Sequence, residues 1–227
     1  MSVTRDSFEK EIPQVSVKDV YFSWPGAKEN VISRCNCVIE NTGLWMIVGK
    51  NGSGKSTFLK LINGIIKPNN GKVNALANVG MVFQNPDHQI LMPNCRSELL
   101  ININQKISKK AISCKIEYVL DKVGLTGFET RPVHTLSGGQ KQRLTIACAL
   151  ISDKNFILLD EPTALLDQTS QLKVVKTIKK LTSDIENPLT ALWITHRYEE
   201  LIYADAVAEM KNGNLTEWQK PSKFQYN

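Results

Sequence analysis

Residues 49–57 read Gly-Lys-Asn-Gly-Ser-Gly-Lys-Ser-Thr. Gly49, Gly54, Lys55 and Ser56 occupy the defined positions of G-x-x-x-x-G-K-[ST], the spacing of a phosphate-binding loop. Just upstream, residues 44–48 are an apolar run. Just downstream, residues 56–66 place Phe58, Leu59, Leu61, Ile62 and Ile65 on a helical period. Strand, glycine loop and helix in this order lift the motif above a fortuitous glycine turn.

The chemistry explains the residue types. A triphosphate crowds negative charge at one end, and N–H groups of a glycine-rich turn at a helix N-terminus surround it without side-chain bulk. Gly49, Gly52 and Gly54 permit that path, with Lys50, Asn51 and Ser53 supplying the intervening peptide units. Lys55 supplies a point charge to the β- and γ-phosphates, the Ser56 hydroxyl is a Mg²⁺ ligand, and Thr57 is placed for the α-phosphate.

A second apolar run, residues 156–159, ends in Asp160-Glu161. A buried strand delivers Asp160 beside the loop, where it holds Mg²⁺ directly or through water. Glu161 is placed to polarise an attacking water as general base. On their own, two acids after an apolar run also suit a helix cap; the loop upstream favours chemistry.

Elsewhere the pattern is that of one α/β domain, residues 15–218, between polar tails 1–14 and 219–227. Residues 15–23 and 35–40 alternate as strands of a small antiparallel sheet, while 79–83 and 191–195 read as further strands. Asn69-Asn70-Gly71 reads as a turn. Residues 95–128 are mainly helical, with Ile112, Ile116, Val119, Leu120 and Val123 at spacings of three and four, so a helical insertion spans about 95–135. Residues 144–151 and 172–181 complete the helices.

The length of 227 residues is enough to bury a real core, and 42% hydrophobic with 22% charged residues is ordinary for a soluble globular chain. The net charge of +6 is dispersed, with only short pairs such as Lys109-Lys110, so no nucleic-acid footprint is expected. Five cysteines without a C-x-x-C pair are expected to be reduced thiols. Cys35 and Cys37, two apart on a strand, share one face and read as core. No uncharged apolar run reaches the ~18 residues of a membrane helix, and the first residues lack a signal peptide's apolar centre. A cytoplasmic chain is expected, with any membrane role coming through a partner.

Leu136-Ser137-Gly138-Gly139-Gln140 then adds a serine-glycine turn opening a helix, a further anion-binding terminus. With the loop and the acid pair, it resembles the signature of ATP-binding-cassette (ABC) transporter ATPase subunits, and the resemblance covers residues 15–218. It implies an α/β P-loop fold with a mostly parallel core, a small antiparallel subdomain and a helical subdomain. It also implies ATP and Mg²⁺ as cofactors, and a head-to-tail dimer in which Ser137, Gly138, Gly139 and Gln140 face the γ-phosphate held by the other subunit. Carried over residue by residue, Trp24 stacks on adenine (a core tryptophan is its structural alternative) and Gln84 touches Mg²⁺ and the water. Asp167 belongs to a loop at the dimer interface, and His196 contacts the γ-phosphate.

Phe83-Gln84-Asn85-Pro86-Asp87-His88-Gln89 is similar to the glutamine loop of energy-coupling-factor ATPases, which drive uptake of vitamins or of metal ions through separate membrane subunits. Thr195-His196-Arg197-Tyr198-Glu199-Glu200-Leu201 also resembles cyanobacterial and plastid relatives. The resemblance therefore implies an ATPase coupled to transport on the cytoplasmic face of a membrane, or in the stroma if organellar. It implies two partners, a second ABC ATPase subunit, identical or not, and a transmembrane permease.

Three features depart from the family pattern. Residues 71–79 are short, which trims the small sheet; Leu165 stands where glycine is common; and the chain ends soon after Trp218. Two other classes are weighed against transport. A soluble ABC ATPase acting on ribosomes or DNA would usually carry a second cassette or a coiled-coil insertion. A P-loop GTPase or kinase is disfavoured by the lack of N-K-x-D.

Overall fold

The computed structural model describes residues 14–75, 79–103 and 107–225. Two sheets organise them. The larger has the order β5-β6-β7-β3-β8-β9, formed by β5 (Val79–Val82), β6 (Phe156–Asp160), β7 (Thr190–Ile194), β3 (Gly43–Val48), β8 (Ala206–Lys211) and β9 (Asn214–Leu215). Its first five strands are parallel and β9 returns antiparallel. The smaller sheet, β2-β1-β4, is antiparallel and comprises β1 (Val15–Phe22), β2 (Ile32–Ile39) and β4 (Asn70–Ala75).

Successive residues of a strand point to opposite faces, so a strand covered on both sides must be apolar throughout. β3 does this. Leu44, Met46 and Val48 enter one core with Ile157, Leu159, Ala191 and Trp193, packed under α4 (Gly138–Ile151) and α5 (Gln168–Thr182). Ile47 enters the other core with Leu158, Leu192, Ile194, α1 (Lys55–Ile62) and the small sheet. Cys35 and Cys37 lie in this second core, where burial pushes their thiols up to about 11 and about 12, so both are inert packing groups as expected.

The helical segment comprises α2 (Cys95–Leu100) and α3 (Lys109–Lys122), each opened by a side-chain cap, Asn94 on Ser97 N–H and Ser108 on Ala111 N–H. Ile116, Val119 and Leu120 of α3 are buried, the face that the spacing predicts.

One expectation needs correction, and one strand was not foreseen. Asn70-Gly71 is not a turn but the start of β4. Tyr21 pairs with Asn70 and accepts the Asn69 N–H at 2.9 Å, and a register shift between Lys18 and Tyr21 absorbs the glycine. β8 was unforeseen because Glu209 breaks its apolar run, yet it is a continuous six-residue strand paired with β3, Glu209 opposite Val48.

The register sets up the site. Ile194 lies opposite both Ile47 of β3 and Asp160 of β6, so the carboxyl ends of three neighbouring strands are level. Whatever follows them gathers at one edge of the sheet, where ligands bind in open α/β folds.

Candidate functional site

Three turns leave that edge: the loop after Val48, the turn that starts at Glu161 beyond Asp160 at the end of β6, and Thr195-His196 after β7. Gly49 begins the first with φ +150°, and a Cβ there would lie 2.5 Å from the Met210 carbonyl oxygen of β8. Only glycine lets the chain pass that carbonyl and wrap a ligand.

The first two of these turns border a cleft of about 540 Å³ lined by Trp24, Val31, residues of the glycine loop, Gln84, Asp160 and Glu161. Of the sequence-predicted residues, Trp24, Asn51, Gly52, Gly54, Lys55, Ser56, Thr57, Gln84, Asp160 and Glu161 all meet there. Lys55 Nζ donates to the carbonyls of Gly49 at 2.8 Å and Lys50 at 3.1 Å, so the loop itself aims the ammonium. Burial pushes the Lys55 pKa down, opposed by the charges of Glu161 and Asp160. Ser53 lies in the same loop, its hydroxyl buried.

Ser56 Oγ donates to Asp160 Oδ1 at 2.9 Å. Burial raises the Asp160 pKa, and the Ser56 hydrogen bond partly offsets this. Trp24 stands at the cleft mouth, 39% exposed, edge-on to Phe22 with ring centroids 5.0 Å apart. The Lys60 ammonium lies over the ring, Nζ 5.7 Å from its centroid, so Trp24 is a partly exposed ring with a cation on it and not a core tryptophan. His196 does not line the cleft, yet its Nδ1 lies 3.1 Å from Glu161 Oε2. Glu161 has φ +47°, a left-handed conformation rare outside glycine and found at functional turns.

A raised carboxyl pKa means that the ionised form costs more in the folded than in the unfolded chain. That cost is full at neutral pH and fades as pH falls through the folded-state pKa. Asp160→Asn keeps an acceptor for Ser56 while removing the charge. Thermal unfolding of the nucleotide-free variant at neutral pH should therefore show a higher Tm than the parent protein. The gap to the parent protein should close toward acid.

Ser137, Gly138, Gly139 and Gln140 are not brought to this cleft. They begin α4, where Ser137 Oγ accepts the Gln140 N–H at 3.3 Å and Gln140 Oε1 accepts the Ser137 N–H at 2.9 Å, a reciprocal capping box. A Cβ on Gly139 would sit 2.7 Å from the Ser170 Cβ, so this glycine also lets α4 approach the start of α5. There Asp167 caps α5 by accepting the Ser170 N–H at 3.0 Å. Leu165, in the same loop, is 62% exposed.

Sequence reasoning missed two buried side chains around the site. Gln142 of α4, fully buried, donates from Nε2 to the Phe83 carbonyl at 3.1 Å, next to Gln84. On the surface beside it, Lys141 Nζ pairs with Asp87 Oδ1 at 2.7 Å. Glu200, also buried, bonds to Thr163 and Thr195. In the sequence Gln142 looks like an ordinary helical glutamine and Glu200 like half of an exposed acidic pair, so neither carries a local signal.

Comparison with known proteins agrees with this geometry. The family model described as ABC transporter matches residues 32–164. "ABC transporter I family member 10" of Arabidopsis thaliana is 40% identical over 192 residues, 84% of this chain and 71% of that one. "Energy-coupling factor transporter ATP-binding protein EcfA1" of Streptococcus pyogenes is 36% identical over 197 residues, 80% of this chain and 70% of that one. Among solved structures, cbiO1 from Clostridium perfringens, described as part of the ABC transporter complex cbiONQ, superimposes with a TM-score of 0.84 at 26% identity. That match covers 93% of this chain and 90% of cbiO1. The ATP-binding cassette MJ0796, solved as a dimer in a post-hydrolysis state with ADP and Pi, gives 0.77 at 26% identity, covering 92% of this chain and all of that one. A glycine loop, an acid pair and a serine-glycine helix start, carried on this fold and matched over most of their length by named relatives, make the chain a member of the ABC transporter family, an ATPase subunit of that class.

Proposed function

We propose that this chain hydrolyses ATP in a cleft completed by a second ABC ATPase subunit, identical or different, and thereby drives a membrane permease. The observation that carries this reading is the division of the polar machinery. Lys55, Ser56, Gln84, Asp160 and Glu161 share one cleft, while the turn at Ser137 caps its own helix outside it. Such a turn is a spare anion-binding terminus, and a second protomer supplies the phosphate it faces. The MJ0796 dimer supports that arrangement.

Within the cleft, Trp24 stacks on adenine, and residues 49–57 hold the phosphates, with Lys55 neutralising the β- and γ-oxygens. Ser56, Asp160 and Gln84 offer hard oxygen donors side by side, a set that fits Mg²⁺. When bound, that ion adds charge neutralisation on the phosphates. Glu161 takes a proton from the water whose oxygen bonds to the γ-phosphorus as the bond to ADP breaks, and His196, anchored on Glu161, faces the γ-phosphate.

No described helix is long and apolar enough to cross a membrane. In this reading the transport path lies in separate membrane subunits that dock near Gln84 and the helical segment. The chain then sits on the cytoplasmic face of a membrane, or its stromal face if organellar. Uptake of a metal ion or vitamin is the cargo class favoured, supported by the energy-coupling-factor relative and the cbiO1 fold. Purification of the tagged chain from detergent-solubilised membranes tests this. A polytopic membrane polypeptide and an ABC ATPase subunit should co-purify in fixed stoichiometry, and sedimentation with ribosomes instead would overturn the transport role.

A further inference from the structure

Glu200 is a charged group with no part in the chemistry above, and it is 4% exposed. Its two oxygens are bonded separately: Thr163 Oγ1 donates to Oε1 at 2.5 Å and Thr195 Oγ1 donates to Oε2 at 2.6 Å. Both threonines are 1% exposed. Burial pushes the Glu200 carboxyl pKa up, the two hydroxyls and Arg197 opposing it. A carboxylate held at that cost, where an apolar side chain would pack more cheaply, calls for a role in geometry.

The partners identify the role. Thr163 stands two residues after Glu161, and Thr195 immediately precedes His196. Thr195 Oγ1 also accepts the Arg197 N–H at 2.9 Å, fixing the turn around His196. The Glu161 N–H donates to the Ile194 carbonyl at 3.0 Å, and its left-handed φ needs such support from the surroundings. We propose that Glu200 is a positioning residue for hydrolysis, its carboxylate clamping the Thr163 and Thr195 turns together so that Glu161 and His196 keep their 3.1 Å contact. The inference rests on the reading of Glu161 as the base.

A carboxylate accepts from both hydroxyls at once, whereas a glutamine amide accepts from one and donates to the other, whose hydroxyl must turn its own proton elsewhere. Glu200→Gln should therefore lower kcat about ten- to a hundredfold, the cost of a small misplacement of catalytic groups. ATP Kd should stay within about twofold, because Glu200 lies outside the cleft lining. Thr163→Val and Thr195→Val should reproduce that split if Glu200→Gln fails to fold, while Thr163→Ser and Thr195→Ser, which keep the hydroxyl, should restore kcat. The 227-residue chain is assayed by phosphate release and by ATP titration, with Glu161→Gln in parallel. If Glu161→Gln is inactive while Glu200→Gln and both valine variants turn over at the parent rate, the clamp is refuted and the base stands. Parent-like turnover by Glu161→Gln would instead remove the base assignment itself. Equal loss in the valine and serine variants would mark a packing role and also refute the clamp.

Discussion

In a Glu161→Gln protein, phosphate release falls about a thousandfold, within the range that a positioned general base contributes, while ATP binding persists. The amide is isosteric and still presents an oxygen toward His196 Nδ1, so the 3.1 Å contact and the cleft walls survive. It has no basic lone pair to take the proton from water. Loss confined to kcat is the signature of a group that acts in the transition state alone. Filter binding of ATP beside a phosphate-release assay checks both halves, and release at the parent rate would remove Glu161 from its role.

Lys55→Ala should show the opposite pattern. Lys55 is 5% exposed and its ammonium is already oriented by the Gly49 and Lys50 carbonyls, so folding bears much of its dehydration. A charge prepared in this way acts on phosphate through low dielectric. Its removal also deprives the two loop carbonyls of a buried donor. ATP affinity should weaken about a hundredfold, equivalent to about 2.7 kcal/mol, read by titration calorimetry. Arginine should not substitute, since its planar fork needs space that a compact ammonium does not. An affinity within threefold of the parent would show that the backbone N–H groups alone hold the nucleotide.

What was legible in the sequence has a common physical cause. The glycine loop, the acid pair and the serine-glycine turn are each built from contiguous residues, and their geometry is dictated by backbone conformation within one turn. The central strands were legible because burial on both faces leaves a continuous apolar run, as in residues 156–159 and 191–194. The features that escaped notice depend on partners distant in sequence. β8 is a strand because β3 pairs with it, and Asn70-Gly71 extends because Tyr21 pairs with Asn70. Glu200 is buried because Thr163, 37 residues earlier, lies across from it. Gly139 was read for its N–H group alone, whereas its missing side chain also makes room for Ser170.

The bond from Gln142 to the Phe83 carbonyl, beside the Lys141–Asp87 pair, couples two remote parts of the chain mechanically. Rotation of the helix that starts at Ser137 would have to break these two contacts or carry residues 83–87 with it. A displacement of the loop after β5 would then reach that helix through this joint as well as the cleft through Gln84. Because the joint is one dry amide and one wet ion pair, raising salt should soften its outer half and leave its inner half stiff.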